Sequence, residues 1–388
     1  MAYQEKQHPL TDDEQLINVL DADALFLLKQ LISTPSPSGQ EHTTADLIQQ
    51  FMQVRGIKTH RLHNNIWAYN KYYNSSNPTI LLNSHHDTVK PNESYTRDPF
   101  KADTIEGKLF GLGSNDAGGC LVSLLAVFSY FYNHPNLSYN LCFAATGEEE
   151  NSGDNGIHAI LPRIGPIDFA IVGEPTQMQM ATAEMGNMVL DCTSYGVAGH
   201  AARNEGVNAL YKALADIQWF STYQFPKQSA FMGPVKMTVT QINAGLQHNI
   251  IPHECRFTVD VRLSDCYTPD EVLAAVKQHT NCAITVRDGI LKPSCIDHIH
   301  PLVRAGMAMG LKTYVSPTSS DQGWLNMPSL KMGPGDSARS HMADEFIYID
   351  EIREGVNSYI GLLKSMMYCL IHNPANGKTI TNPQQNAN

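Results

Sequence analysis

Residues 79–87, Thr79-Ile80-Leu81-Leu82-Asn83-Ser84-His85-His86-Asp87, lead from a short apolar run directly into two imidazoles and a carboxylate. A run of that length, closed by polar residues, reads as a buried strand with its reactive groups at the carboxyl end. The pattern recurs. Residues 139–145 precede Glu148-Glu149-Glu150, and residues 169–172 precede Gly173-Glu174-Pro175. Gly113-Ser114-Asn115-Asp116 and Ser340-His341 add a further acid and a further imidazole. In open α/β sheets ligands collect beyond the carboxyl ends of strands, so the repetition predicts one shared site on an α/β layer with a largely parallel or mixed sheet. Imidazoles and carboxylates in this number suffice for two divalent ions sharing a bridging ligand, which predicts a two-metal hydrolase.

Around this frame, residues 21–32 and 41–55 carry helical periodicity. Ser33-Thr34-Pro35-Ser36-Pro37-Ser38-Gly39 separates the two, and Gly56 closes the second. Residues 66–69 read as another buried strand, and residues 118–132 have the length and pattern of a buried helix. From about Met188 the style changes. Residues 188–195, 235–242, 254–262 and 282–287 read as strands, with helical patterns at 208–223 and 269–279. That β-α-β-β-α-β order predicts a small α+β domain over residues 184–290, inserted into a discontinuous catalytic domain of residues 1–183 and 291–388. Residues 301–309 and 349–369 look helical, and the polar stretch beyond Asn373 reads as a frayed tail.

The chain's 388 residues exceed what one hydrophobic core usually supports, in keeping with two domains. Its net charge of −11 repels phosphate backbones and anionic lipid surfaces, so neither nucleic acid nor membrane is expected as a partner. The first thirty residues have no basic segment followed by an apolar core, and a cytoplasmic location is expected. The eight cysteines are scattered without a C-x-x-C pair and are expected to be free and mostly buried.

Within Ser84-His85-His86-Asp87 either histidine could bind metal, and Asp87 could orient the imidazole of His85. The segments taken together resemble, in order, those of the M20 family of metallopeptidases and deacylases. The match runs through His85-x-Asp87, Gly111-x-Gly113-x-x-Asp116-x-x-Gly119, the acidic triplet and Gly173-Glu174-Pro175. It continues with Gly196-x-x-x-His200, Gly245-x-x-x-Asn249-x-x-Pro252, Asp260-x-Arg262 and Ser340-His341, and covers residues 20–365.

The resemblance implies that His85 and Glu174 hold one metal, Glu150 and His341 the other, and that Asp116 bridges both. It implies a cis peptide bond at Asp116–Ala117. Imidazole and carboxylate ligands themselves suit zinc, or cobalt in its place. Glu149 is the implied general base, although the triplet leaves an alternative register with base and ligand at Glu148 and Glu149. The inserted domain is the implied lid and dimerisation element of a homodimer, from which His200 reaches a partner's site to stabilise the oxyanion. Asn249 and the Gly333-Pro334-Gly335 loop resemble substrate-contacting elements. Arg262 suits a substrate α-carboxylate, or else a salt bridge with Asp260.

The expected activity is hydrolysis of the N-acyl amide of a small-molecule N-acyl-L-amino acid in arginine biosynthesis. N-acetylornithine, N-acetylcitrulline and their N-succinyl analogues all remain open. A dipeptidase or carboxypeptidase, or a succinyl-diaminopimelate desuccinylase, is the alternative on the same scaffold. A non-catalytic binding protein is the alternative from outside catalysis. The H-x-H-x-D-H run of metallo-β-lactamases is missing from residues 84–89.

Overall fold

The computed structural model describes residues 11–203 and 205–372; the expected tail beyond Asn373 lies outside them. The chain divides into two compact units. One takes in the chain up to Ala181, Ile296–Thr313 and the chain from Asn326; the other takes in Thr182–Cys295 and Tyr314–Leu325.

In the first unit the sheet runs in the order His60–Leu62, Asn65–Tyr69, Asn140–Thr146, Thr79–His85, Phe169–Val172, Ser329–Lys331. The last four are mutually parallel, and Asn65–Tyr69 joins them antiparallel. Thr79–His85 and Asn140–Thr146 are buried at every position, as their continuous apolar runs require. The helix Gly119–Tyr132 is buried along almost its whole length. Its Leu121, Leu124 and Phe128 share one core with Leu82, Phe143 and Ile171 of the strands, Leu27 and Leu28 of the first helix, and Tyr359 and Leu363 of the last. The first helix, Asp12–Ile32, starts nine residues before the periodicity suggests. A capping box of Thr11 and Glu14 satisfies its first amides and fixes that start.

The second unit holds a four-stranded antiparallel sheet ordered Lys236–Ala244, Glu254–Leu263, Gly186–Tyr195, Ala283–Val286. The two central strands alternate buried and half-buried positions, the signature of a sheet covered on one face. The helices Ala209–Thr222 and Pro269–His279 contribute Ala213, Phe220, Val272 and Val276 to the core on that face. The fold is thus α/β with an α+β element in the expected β-α-β-β-α-β order.

Tyr314–Leu325 groups with this unit, whereas the sequence reading left it in the catalytic domain. Its attachments are long-range: Ser320 donates to Glu184 from both Oγ and N, Gly323 O accepts from Lys292 N, and Val315 packs against Ala183, Met185 and Met232. Among the described residues no helix is long and apolar enough to cross a membrane. Cys120, Cys142, Cys192, Cys255, Cys266, Cys282 and Cys295 are free, and the first four are buried.

Candidate active site

Strand register brings the acids and imidazoles of the first unit together. His85 pairs with Thr146 and Asn83 with Val172, so the acidic triplet and Glu174 both emerge beside His85 at the carboxyl edge. The buried helix Gly119–Tyr132 follows the loop that presents Asp116. In that loop Gly113 has φ +75°, and a Cβ on Gly118 would lie 2.4 Å from Gly113 O, which explains the glycine spacing. The Asp116–Ala117 peptide is cis, as the resemblance implies.

Donor atoms of His85, Asp116 and Glu174 lie within 4.8 Å of one another, and so do those of Asp116, Glu150 and His341. Asp116 belongs to both groups. His85 Nε2 is 3.3 Å from Asp116 Oδ1 and 3.7 Å from Glu174 Oε1. His341 Nε2 is 2.9 Å from Glu150 Oε2 and 3.6 Å from Asp116 Oδ2. Glu149 Oε2 stands 3.9 Å from His85 Nε2.

Glu148 turns away. Its carboxylate accepts from the main-chain N and Nδ2 of Asn155, so Glu149 and Glu150 are the members of the triplet at the cluster. His86 is also turned elsewhere, with Nδ1 bonded to Thr44 Oγ1 and Nε2 to Asn64 O, both at 2.9 Å.

His85 Nδ1 donates to the main-chain oxygen of Asp87 at 2.9 Å, which leaves Nε2 to face Asp116 and Glu174. The Asp87 carboxylate is farther from that ring, at 3.4 Å. Its principal bonds are to the acidic loop: Oδ1 accepts from Glu149 N and Oδ2 from Glu150 N, each at 3.1 Å, while Ser38 Oγ donates to Oδ2 at 2.7 Å. Asp87 therefore aligns both the imidazole and the two acids.

Burial opposes charge on His85, but Glu149, Asp116, Asp87 and Glu174 outweigh it and raise its pKa well above the usual range. The hydrogen bond that His341 donates to Glu150 lifts its pKa to about 9. Burial lifts Glu174 to about 8. Glu174 Oε1 is buried and without a hydrogen-bond partner. A concentration of carboxylates with an orphaned oxygen, interleaved with imidazole nitrogens, fits divalent cations of the zinc type.

Two acids that sequence reasoning missed hold the loops in place. Glu41, fully buried, accepts from Glu148 N at 2.9 Å; Glu345 accepts from amides of the Asp116 loop. Neither lies in a motif, and no local signal marks either one. The Gly333-Pro334-Gly335 loop adjoins Glu174, since a Cβ on Gly333 would lie 2.6 Å from Glu174 O.

The remaining candidates belong to the second unit. His200 and Asn249 are neighbours there: His200 pairs with Ile250, and Asn249 O accepts from Ala201 N at 3.0 Å. Both side chains are exposed, and His200 Nδ1 accepts from Ala202 N at 3.1 Å. Arg262 forks onto Asp260 of its own strand, with Nε to Oδ1 at 2.8 Å and Nη2 to Oδ2 at 3.0 Å.

The sequence profile of peptidase family M20/M25/M40 matches residues 81–365, well over half the chain. Succinyl-diaminopimelate desuccinylase 2 of Ruegeria sp. (strain TM1040) is 27% identical over 281 residues, covering 67% of this chain and 70% of that protein. Among solved structures, an M20 family metallo-carboxypeptidase from Sulfolobus solfataricus has a TM-score of 0.73 at 17% identity, covering 89% of this chain and 99% of the other. A dinuclear metal-binding peptidase of the M20 family from Bacillus subtilis has a TM-score of 0.65 at 12% identity, covering 90% and 99%. At these identities the two structures are evidence of shared fold alone.

Proposed function

The chain belongs to peptidase family M20/M25/M40, a family of metal-dependent hydrolases acting on small molecules, and from that premise we propose that it removes the acyl group from N-acyl-L-amino acids. The observation that carries the proposal is Asp116, whose carboxylate is common to both donor groups. His85 and Glu174 complete one metal site, and Glu150 and His341 the other. Zinc suits these nitrogen and oxygen donors, and cobalt can replace it. Two such ions supply Lewis acidity toward the scissile carbonyl and toward water.

The residues of the chain do the rest. Glu149 takes the proton of the attacking water and returns it to the departing amine. Asp87 keeps Glu149 in register by holding its main-chain amide. His200, from the lid of a homodimer partner, donates to the oxyanion; Arg262 receives the substrate α-carboxylate by exchanging Asp260 for it, and Asn249 is a further substrate contact. The desuccinylase relative supports this reading over the peptidase one, because desuccinylation cleaves an N-acyl amide. The substrates to expect are N-acetylornithine, N-acetylcitrulline and their N-succinyl analogues, in a cytoplasmic route of arginine biosynthesis.

The test is hydrolysis of N-acetyl and N-succinyl forms of ornithine, citrulline and diaminopimelate beside simple dipeptides. Acylated amino acids should be preferred, and amidating the α-carboxylate should raise KM at least tenfold, roughly the loss of one charge-assisted hydrogen bond. Preference for dipeptides with a free amine, or indifference to the carboxylate, would move the assignment to a peptidase.

A further inference from the structure

Glu345 is 2% exposed, and its carboxylate collects three amides of a single loop. Oε2 accepts from Gly113 N at 3.1 Å, and Oε1 accepts from Asn115 N at 2.8 Å and Asp116 N at 2.9 Å. Its main-chain oxygen accepts from Gly111 N at 2.9 Å. Residue 345 thus grips the segment 111–116 along its length, ending on the residue shared by both donor groups. The same short stretch of chain carries His341, whose Nε2 is 3.6 Å from Asp116 Oδ2.

Three converging N–H groups need an acceptor with two oxygens. A carboxylate meets that need, and its charge strengthens each bond. Glutamine in its place would offer one oxygen and turn an NH₂ toward a donor. Aspartate would keep the charge but lose the reach of one methylene.

We propose that Glu345 is a positioning residue of the metal centre: it sets the Asp116 carboxylate against His85 and His341 so that one side chain serves both ions. The proposal rests on the reading of the centre given above. Its content is geometric, since the contact runs through main-chain amides and Glu345 itself is absent from both donor groups.

The test is titration of the chelator-treated full chain with Co²⁺, following heat and visible absorption, for wild type, Glu345→Asp, Glu345→Gln and Asn140→Ala. Asn140 is the control for general loosening. It is fully buried, at the start of the strand that leads to the acidic loop, and its Nδ2 donates to Asn74 O at 2.8 Å and Asn77 O at 3.1 Å.

Wild type should bind two Co²⁺ per chain. Both Glu345 variants should weaken both ions by about 10–100-fold and alter the absorption bands, as loss of a ligand-orienting contact does, while Asn140→Ala keeps wild-type affinities and bands. Should Glu345→Gln fail to fold, Glu345→Asp carries the same comparison. Wild-type affinity and absorption in Glu345→Asp would overturn the proposal by reducing Glu345 to a charge, and an equal loss in Asn140→Ala would overturn it by reducing it to stability. Wild type binding no Co²⁺ would instead overturn the centre itself, and the proposal with it.

Discussion

In the first unit, His85, Asp116, the adjacent Glu149 and Glu150, Glu174 and His341 come from five segments and meet at the carboxyl edge of parallel strands. In the second, His200 and Asn249 sit exposed at a short two-stranded antiparallel ladder, while Arg262 is occupied by Asp260 on its own strand. The first set is assembled by its own unit and held by buried acids. The second set belongs to neither donor group. The proposed roles divide the same way, so substitutions in the two units should fail differently: those in the first through the metal ions or the base, that of His200 through kcat alone.

The largest effect is expected in the first unit. Glu149→Gln should keep two metal ions and lose about 10²–10⁴-fold in kcat, the usual contribution of a general base. Glu150→Gln should instead weaken one ion, and Glu148→Gln should stay near wild type because that carboxylate bonds Asn155. Metal analysis beside kinetics checks all three. If Glu149→Gln lost an ion and Glu150→Gln did not, the register would shift by one, to base and ligand at Glu148 and Glu149.

The second unit should give a smaller and purely kinetic loss. His200→Ala should lower kcat by about 10²–10³-fold with KM nearly unchanged and metal content intact, because an oxyanion donor acts in the transition state. Mixing His200→Ala with Glu149→Gln subunits should restore part of the activity if the histidine acts across a dimer. A loss of metal in His200→Ala would break the comparison between the units.

Legibility in the sequence follows the same division. The strands beneath the site are readable because each is a continuous apolar run ended by an acid or imidazole, as in Thr79–His85 and Phe169–Val172. Ser329–Lys331 is not readable: Leu330 is its only apolar residue, and the strand exists because Phe169–Val172 pairs with it. Glu41 and Glu345 are invisible for a related reason. Each accepts amides more than a hundred residues away, and no local periodicity records such a bond. The early start of the first helix was legible after all, in Thr11-x-x-Glu14. Arg262 shows the opposite limit, since its sequence context allowed both a substrate carboxylate and Asp260, and within its unit it takes the latter.

The central claim is that the donor groups sharing Asp116 form a two-ion centre that performs the hydrolysis, and metal content measured together with activity tests it most directly. Zinc-loaded protein should carry about two ions per chain, lose hydrolysis of the proposed N-acyl amino acid substrates on chelation, and regain it with Zn²⁺ or Co²⁺. Full activity in metal-free protein would contradict the account.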